Sequence, residues 1–177
     1  MKGRKIKAGL TVHKEYEVSF QVFPSVFKGG WHNVVHFTIG GNSGKSGDRI
    51  PSIWFHTTDG DTKSCALLIC ADVSGNVDYR FTTHRVSVQK WTAIKVKQVR
   101  NEDGVYVYEI MIDGKVVFSK VNTLPKTFRH VNVYASDPWY APQVGYIKDL
   151  YYGGKCKILF SPGGGHLDLE SYAICGP

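Results

Sequence analysis

Short runs in which apolar and polar residues alternate, separated by turn-forming residues, are the feature that most constrains how this chain folds. In residues 16–23 the apolar side chains occupy every second position, which places them on one face of an extended strand. The chain has 31 Val plus Ile residues against 15 Leu plus Ala, and β-branched residues fit strands better than helices. Because no segment carries a capped helical period, the sequence predicts an all-β fold.

Turn signals divide the chain into strand-length segments that recur about every eight to fifteen residues. The predicted strands are residues 16–23, 31–39, 50–56, 65–71, 77–86, 92–99, 105–112, 115–121, 130–135, 144–152 and 156–160. Asn101-Glu102-Asp103-Gly104 and Asp113-Gly114 are turn sequences typical of β-hairpins. We therefore predict an all-β sandwich of about ten to twelve strands.

Some of these strands carry further expectations. Pro51 cannot donate to a ladder, so residues 50–56 are predicted to lie at an edge or a bulge. Residues 65–71 are apolar on both faces, which predicts a central strand covered on two sides. The segment 77–112 is predicted to be a meander in one sheet. Its outer face would then be basic, with Arg80, His84, Lys95 and Lys97.

One sandwich accounts for the whole length of 177 residues. We expect a basic N-terminal arm or first strand in residues 1–14, the sandwich in residues 15–152, and a C-terminal extension packed on the same domain in residues 153–177. No run of about 18 apolar residues is present, so no membrane span is expected. The net charge of +7 mildly attracts anions. Nucleic acid is nevertheless not an expected partner, because no recognition helix or RNA-binding sheet motif is found.

The four cysteines suggest one disulfide or none. If Cys65 and Cys70 lie in one strand, about 16 Å separates them, whereas a disulfide needs Cα atoms within about 7 Å. These two cysteines therefore cannot pair with each other. Cys156 and Cys175 are the better candidates for a disulfide, and the alternative is that all four thiols are free.

The aromatic loop at residues 136–140 is the first candidate binding site. Asp137, Trp139 and Tyr140 bring a carboxylate and two rings into one segment that contains Pro138, and proline reduces the conformational freedom that a loop loses on binding. Aromatic rings can stack on the C–H faces of sugars while carboxylates bond hydroxyl groups. The loop is thus typical of a carbohydrate site, and the alternative is that both rings fold back as a lid on the sandwich.

A second candidate group surrounds the strand at residues 50–56. Trp54 and His56 fall on one face of this strand, close to Arg49 in sequence. Asn42 and Asp48 lie in the preceding polar loop and are predicted to be rim residues of the ligand site. The alternative for Trp54 and His56 is ordinary structural packing.

Asp59-Gly60-Asp61 is the candidate metal site. It supplies two carboxylates on a turn, and calcium requires about six to eight oxygen ligands. The spacing of an EF-hand loop is not present, and Asp–Gly turns commonly bond their own backbone. The cofactor expectation is therefore either none or calcium held in part by Asp59 and Asp61.

Three ordered segments resemble the laminin-G-like, concanavalin A-like lectin family. Residues 91–96 resemble the family strand W-x-x-V-x-V, residues 108–115 resemble a strand ending in V-D-G, and residues 145–150 resemble the closing G-x-I-R-N-L strand. The sequences around 47–51 and 133–140 are similar to those of secreted invertebrate domains. The resemblance covers about residues 15–152 and implies a two-sheet antiparallel jelly-roll sandwich of the concanavalin A-like type.

The same resemblance implies a secreted, extracellular protein that binds glycans or glycoproteins, in some relatives through calcium at the rim. We therefore expect a non-enzymatic carbohydrate- or glycoprotein-binding module, with homo-oligomerisation left open. One alternative is a structural or adhesion protein that acts through protein contacts. A second is a divergent polysaccharide hydrolase, although the paired carboxylates of jelly-roll hydrolases and the Gly-x-Ser-x-Gly elbow are absent from the sequence. No signal peptide is visible after Met1.

Overall fold

The structure, a computed structural model, describes residues 4–153, 156–163 and 168–175. Every regular element in these ranges is a β-strand. The fourteen strands are β1 Arg4–Val12, β2 Tyr16–Pro24, β3 Gly30–Thr38, β4 Ser52–Thr57, β5 Ser64–Val73, β6 Asn76–Ser87, β7 Thr92–Arg100, β8 Tyr106–Ile112, β9 Lys115–Val121, β10 Phe128–Ala135, β11 Ala141–Pro142, β12 Gly145–Gly153, β13 Cys156–Gly163 and β14 Asp168–Cys175. In the described parts of the chain no helix is long and apolar enough to cross a membrane.

The strands form two stacked sheets, which confirms the predicted all-β jelly-roll sandwich. The first sheet has the order β1-β10-β3-β4-β5-β6, with the short β11 paired in parallel to β3. The second sheet has the order β14-β13-β12-β2-β7-β8-β9 and is antiparallel throughout. Residues 4–12 thus form a strand beside β10, and the strands at residues 156–163 and 168–175 extend the second sheet.

The core lies between the sheets and follows directly from the alternation in the sequence. In β2 every second side chain is buried, with Val18 and Phe20 among them. From the first sheet, Phe37 and Leu67 point into the same core cluster. Each such side chain contributes roughly 1.5–3 kcal/mol of burial free energy, so the inward faces of the strands hold the two layers together.

β4 is not the edge strand that was one of the two expected positions, but its ladder with β3 contains a bulge-like register shift between Asn33 and Val35. β4 lies between β3 and β5 inside the first sheet. Pro51 precedes the first residue of β4, where its carbonyl accepts a hydrogen bond of 2.9 Å from the amide of Phe37. A proline at this place removes no donor from the ladder, so it is compatible with a central strand.

β5 is an interior strand paired with β4 and β6, as its apolar sequence predicted. β5 lies beside the last strand of the sheet and only its inward face contacts the core. Leu68 and Cys70 lie on the outward face. Their apolar character is explained by other side chains that cover this outer face, which are described below.

The predicted meander was also wrong, because β6 and β7 belong to different sheets. β6 pairs with β5 in the first sheet, whereas β7 pairs with β2 and β8 in the second. Arg80 therefore does not share a face with Lys95 and Lys97. Alternation shows which side chains share a face of one strand, but it does not show which strands are neighbours.

The structure separates the cysteines as the spacing predicted. Cys65 and Cys70 are both buried free thiols, and Cys65 faces the core while Cys70 is outside it. In the β13–β14 ladder the backbone of Cys156 is directly opposite that of Cys175. Directly opposed residues of antiparallel strands have Cα atoms about 4.5–5.5 Å apart, which is within disulfide range. The disulfide between them stays a prediction.

Thiol counting tests both statements. Burial raises the pKa of Cys65 and raises that of Cys70 to about 12, which leaves about 1,000-fold less Cys70 thiolate at pH 8 than an ordinary cysteine has. We expect no rapid reaction of the native protein with a thiol reagent, two reactive thiols after denaturation, and four after denaturation and reduction. Rapid labelling of the native protein, or four thiols without reduction, would contradict the account.

Candidate functional site

The outer face of the first sheet carries a cavity of about 130 Å³, called here the aromatic–arginine cavity. It is lined by Trp31, Arg49, Trp54, Leu68, Arg80 and Tyr140. The ladder places most of these residues side by side, since Trp54 pairs with Leu68 and Arg80 pairs with Cys70. Larger grooves of about 550 and 320 Å³ are lined mainly by second-sheet residues, but neither combines tryptophan rings with arginine donors.

Aromatic rings form the walls of the cavity. Trp31 stacks on His56, its cross-strand partner, with centroids 3.9 Å apart and planes within 12°. The ring centroid of Tyr140 lies 6.3 Å from that of Trp31 and 6.4 Å from that of Trp54. Trp54 is only 2% exposed at the base, whereas Tyr140 is 37% and the neighbouring Trp139 is 43% exposed. The 136–140 loop therefore brings the accessible ring of Tyr140 to the cavity. The exposed ring of Trp139 lies beside His36, which in turn contacts Trp54, and this neighbouring surface is called the rim.

Arg49 is fixed beside these rings by three contacts. Its guanidinium carbon lies 4.9 Å from the centroid of Trp54, its Nε donates to Asn42 at 3.0 Å, and its Nη1 donates to Asp78. A guanidinium over an indole face is attracted by the ring quadrupole, by roughly 0.5–2 kcal/mol. Arg49 is thus held in one orientation at the cavity wall.

Arg80 reaches the same carboxylate from β6. Its Nε and Nη2 donate to Asp78 Oδ2 at 3.0 and 2.6 Å. Burial by itself would raise the pKa of Asp78, but the hydrogen bonds and charges of Arg80 and Arg49 outweigh it and lower this pKa. Asp78 is therefore ionised at neutral pH and holds the two guanidinium groups together.

Trp54 has an unusual feature for a buried side chain. Its indole Nε1 has no hydrogen-bond partner among the described residues, although a buried donor without a partner costs about 1–3 kcal/mol. Trp54 lines the cavity. An acceptor on a bound molecule could satisfy this donor.

The composition of the loop predicted that the Asp137 carboxylate contacts hydroxyl groups of a ligand, but the structure places this carboxylate in the interior. The Asp137 side chain is 0% exposed. Its Oδ1 accepts from the amides of Trp139 and Tyr140 at 3.1 and 2.9 Å, and its Oδ2 accepts from His36 Nδ1 at 2.7 Å. His36 Nε2 lies 2.6 Å from the carbonyl of Asp48, so the imidazole ring connects the aromatic loop to the polar loop. Asp137 fixes the loop that presents the two rings and does not itself face solvent.

Asp48 has a comparable structural position. It is buried, and its Oδ2 accepts from the amide and hydroxyl of Ser43 and from the amide of Lys45 at 2.8–3.0 Å. Burial would raise its pKa, but these hydrogen bonds outweigh that effect and lower it. Asp48 thereby holds the polar loop closed on itself, and Asn42 from that loop supports Arg49.

Arg85 forms hydrogen bonds with both candidate metal ligands, Asp59 and Asp61. Its Nη1 donates to Asp59 at 2.8 Å and its Nη2 to Asp61 at 2.9 Å, and Asp61 also accepts from Ser64. Across the described ranges, no group of three His, Cys, Asp or Glu side chains is arranged to hold a metal. Calcium binding by Asp59 and Asp61 stays a prediction, and it would require Arg85 to give way.

Acid titration checks this turn. The hydroxyl of Ser64 and the amides of Lys63 and Ser64 lower the pKa of Asp61 to about 2, and an ordinary aspartate has a pKa of about 3.9. A depressed pKa stabilises the fold above about pH 4, and this contribution is lost as pH falls toward 2. We expect the melting temperature of Asp61→Asn to fall less steeply over this range than wild type. The control is Asp103→Asn in an exposed hairpin turn, and an unchanged slope in Asp61→Asn would contradict the expectation.

The structure brings the two predicted groups together at one place. Trp54 contacts Arg49 and Tyr140 across the first sheet, and Trp139 of the same loop as Tyr140 packs against His36, which contacts Trp54. Asn42, Asp48 and Asp137 support these side chains. Their part in ligand binding stays a prediction. Three cavity residues were not predicted. Trp31 could have been found from its place on a strand, but Leu68 and Arg80 depend on the pairing of β5 with β4 and β6.

The fold is shared with several solved structures. A SAP-like pentraxin from Limulus polyphemus is 8% identical, with a TM-score of 0.53 over 84% of this chain and 67% of that chain. The alginate lyase Aly36B in complex with an alginate tetrasaccharide is 14% identical, with a TM-score of 0.50 over 92% of this chain and 80% of that chain. An alginate lyase from Alteromonas sp. 272 is 12% identical, with a TM-score of 0.47 over 76% of this chain and 60% of that chain.

These likenesses show a concanavalin A-like sandwich, and at such low identity they show the fold alone. This chain spans only about three fifths of the Alteromonas lyase. No family model matches the sequence, and no curated protein matches it significantly. The narrower laminin-G assignment stays a prediction.

Proposed function

We propose that the protein is a carbohydrate-binding module whose glycan site is the aromatic–arginine cavity and its rim. The observation that carries this proposal is the convergence of accessible aromatic rings with two fixed guanidinium groups on one sheet face. Sugars present apolar C–H faces and polar hydroxyl groups together, so a site for them needs both kinds of surface. The fold is compatible, since Aly36B of similar fold holds an alginate tetrasaccharide.

The site is organised before any ligand arrives. Asp137 fixes the backbone of the aromatic loop, and Asp78 and Asn42 fix the Arg49 guanidinium. Groups that are already ordered lose little conformational freedom on binding. We infer that Tyr140 and Trp139 stack on sugar rings while Arg49, Arg80 and the Trp54 indole donate to sugar oxygens.

A binding role is favoured over catalysis by the residues of the cavity. Retaining glycoside hydrolysis requires two carboxyl groups about 5–5.5 Å apart. The six lining residues include no carboxylate, and the adjacent Asp78 is occupied by two arginines. We therefore propose a non-enzymatic module. Turnover of a bound polysaccharide would favour the hydrolase alternative.

We further propose an extracellular location, with a glycan or glycoprotein as partner. The support is the opposed pair Cys156 and Cys175 on neighbouring strands, because disulfides persist mainly in oxidising compartments. The thiol count described above bears on this proposal.

A glycan array followed by calorimetry tests the proposed function. We expect the protein to bind at least one glycan of the array, and Trp139→Ala to weaken that binding by about 10–100-fold, as loss of an aromatic anchor typically does. Tyr146→Ala is the matched control, because Tyr146 is 57% exposed on the second sheet. The proposal fails if no glycan is bound, or if both variants bind like wild type. A dimer that is lost in Trp139→Ala, without glycan binding, would favour the adhesion alternative.

A further inference from the structure

The aromatic–arginine cavity carries an excess of positive charge. Two guanidinium groups, Arg49 and Arg80, share the single carboxylate of Asp78, and this carboxylate is ionised at neutral pH because its pKa is lowered. The lining residues add no acidic group. One positive charge is therefore left over beside a cavity with aromatic walls.

Each arginine also keeps hydrogen-bonding capacity. Arg49 uses Nε and Nη1, and Arg80 uses Nε and Nη2. In the described part of the chain, Arg49 Nη2 and Arg80 Nη1 have no acceptor. With the unpartnered Nε1 of Trp54, the lining holds three sets of donors and has a surplus of N–H groups over acceptors. An ionised group that only accepts hydrogen bonds, such as a carboxylate, is the ligand group that complements this set of donors.

We propose that this cavity selects sugars that carry a carboxylate, as uronic acids do; this inference rests on the proposed carbohydrate-binding function. Guanidinium groups bind carboxylates in planar, charge-assisted pairs that are about twice as strong as neutral hydrogen bonds. The cavity of about 130 Å³ holds the volume of about four water molecules, which suits a carboxylate with part of one sugar ring. The remaining rings of the glycan lie over Tyr140 and Trp139 at the rim.

The partial exposure of the two arginines fits this assignment. The Arg49 side chain is 11% exposed and that of Arg80 is 54% exposed. Arg49 is thus part of the cavity wall, while Arg80 stands at its open side, where it can be changed without removing a buried group. Arg80 is the side chain to substitute in a test of charge selectivity.

The test compares acidic glycans with their neutral forms. The probes are tetragalacturonic acid and a hyaluronan tetrasaccharide, each beside its carboxyl-reduced form, together with carboxyl-reduced heparin as a sulfate-only polyanion. We expect one acidic probe to bind at least about 10-fold more tightly than its reduced form, since charge-assisted pairs contribute this much or more. Arg80→Gln should reduce that preference to below about 3-fold, because it weakens binding of the acidic form much more than binding of the reduced form. Arg80→Lys should retain part of the preference.

Arg129→Gln is the control for net charge, because Arg129 is exposed on β10 and does not line the cavity. Equal binding of the acidic and reduced forms overturns the inference, as does equally tight binding of carboxyl-reduced heparin or array binding confined to neutral glycans. In these cases the proposed function stands. Absence of any bound glycan on the array removes the proposed function itself.

Discussion

Replacing Asp137 with alanine is expected to lower the free energy of unfolding by about 3–5 kcal/mol, because the change leaves several buried hydrogen-bonding groups without their partner, each at a cost of about 1–3 kcal/mol. The carboxylate of Asp137 is fully buried and accepts from His36 Nδ1 and from two backbone amides. None of these donors can turn to water while the aromatic loop stays packed on β3. Urea denaturation followed by tryptophan fluorescence measures the loss.

Two further variants provide the comparison for Asp137→Ala. Asp137→Asn keeps the shape and the oxygen that accepts from the loop amides, so it should cost less than the alanine variant. Asp103→Ala removes a carboxylate from an exposed hairpin turn and should change stability by less than about 0.5 kcal/mol. A loss of under 1 kcal/mol in Asp137→Ala would mean that the loop does not depend on this buried network.

Replacing Trp54 with alanine should have an effect of similar size, about 3–5 kcal/mol, as for other large side chains removed from a packed interior. Trp54 is 2% exposed and contacts Trp31, His36, Tyr140 and the Arg49 guanidinium. The variant would leave a void under the cavity and release Arg49 from its support. Glycan binding should be lost together with this stability.

The same substitution at Trp139 is the matched control. Trp139 is 43% exposed, so Trp139→Ala should cost less than about 1 kcal/mol of stability although it weakens glycan binding. Thermal and urea denaturation of the two variants give the comparison. If both tryptophans prove equally important for stability, Trp139 is a lid residue of the sandwich and the proposed binding rim has to be abandoned.

The sequence was sufficient to predict the layers and much of the candidate site. Alternation located β2, β3 and β7 within about one residue, because an inward apolar residue at every second position is the physical requirement for a half-buried strand. Trp54 and His56 were grouped because positions two residues apart on a strand share a face, and the structure places the Arg49 guanidinium carbon 4.9 Å from the Trp54 ring. The 136–140 loop was identified by its composition alone.

What the sequence did not reveal is which strands are neighbours. Arg80 was expected beside Lys95, yet it lies beside Cys70 because β6 pairs with β5. The meeting of Trp54 with Tyr140 depends on the packing of a distant loop against β4. Asp137 was interpreted as a surface ligand because a carboxylate in a loop is usually solvated. Its burial depends on His36, about one hundred residues earlier in the chain, for which the sequence contains no local signal.

The indole N–H signals of the four tryptophans provide the most direct measurement of the central claim. Trp31 and Trp54 line the aromatic–arginine cavity, and Trp139 packs against His36, which contacts Trp54, whereas Trp91 packs against Phe23 near the second sheet. In a ¹H–¹⁵N correlation spectrum titrated with tetragalacturonic acid, we predict that the first three signals move, that of Trp54 most strongly, while Trp91 stays in place. Movement of Trp91 alone, or no movement of the Trp54 signal while the acid demonstrably binds, would contradict the account.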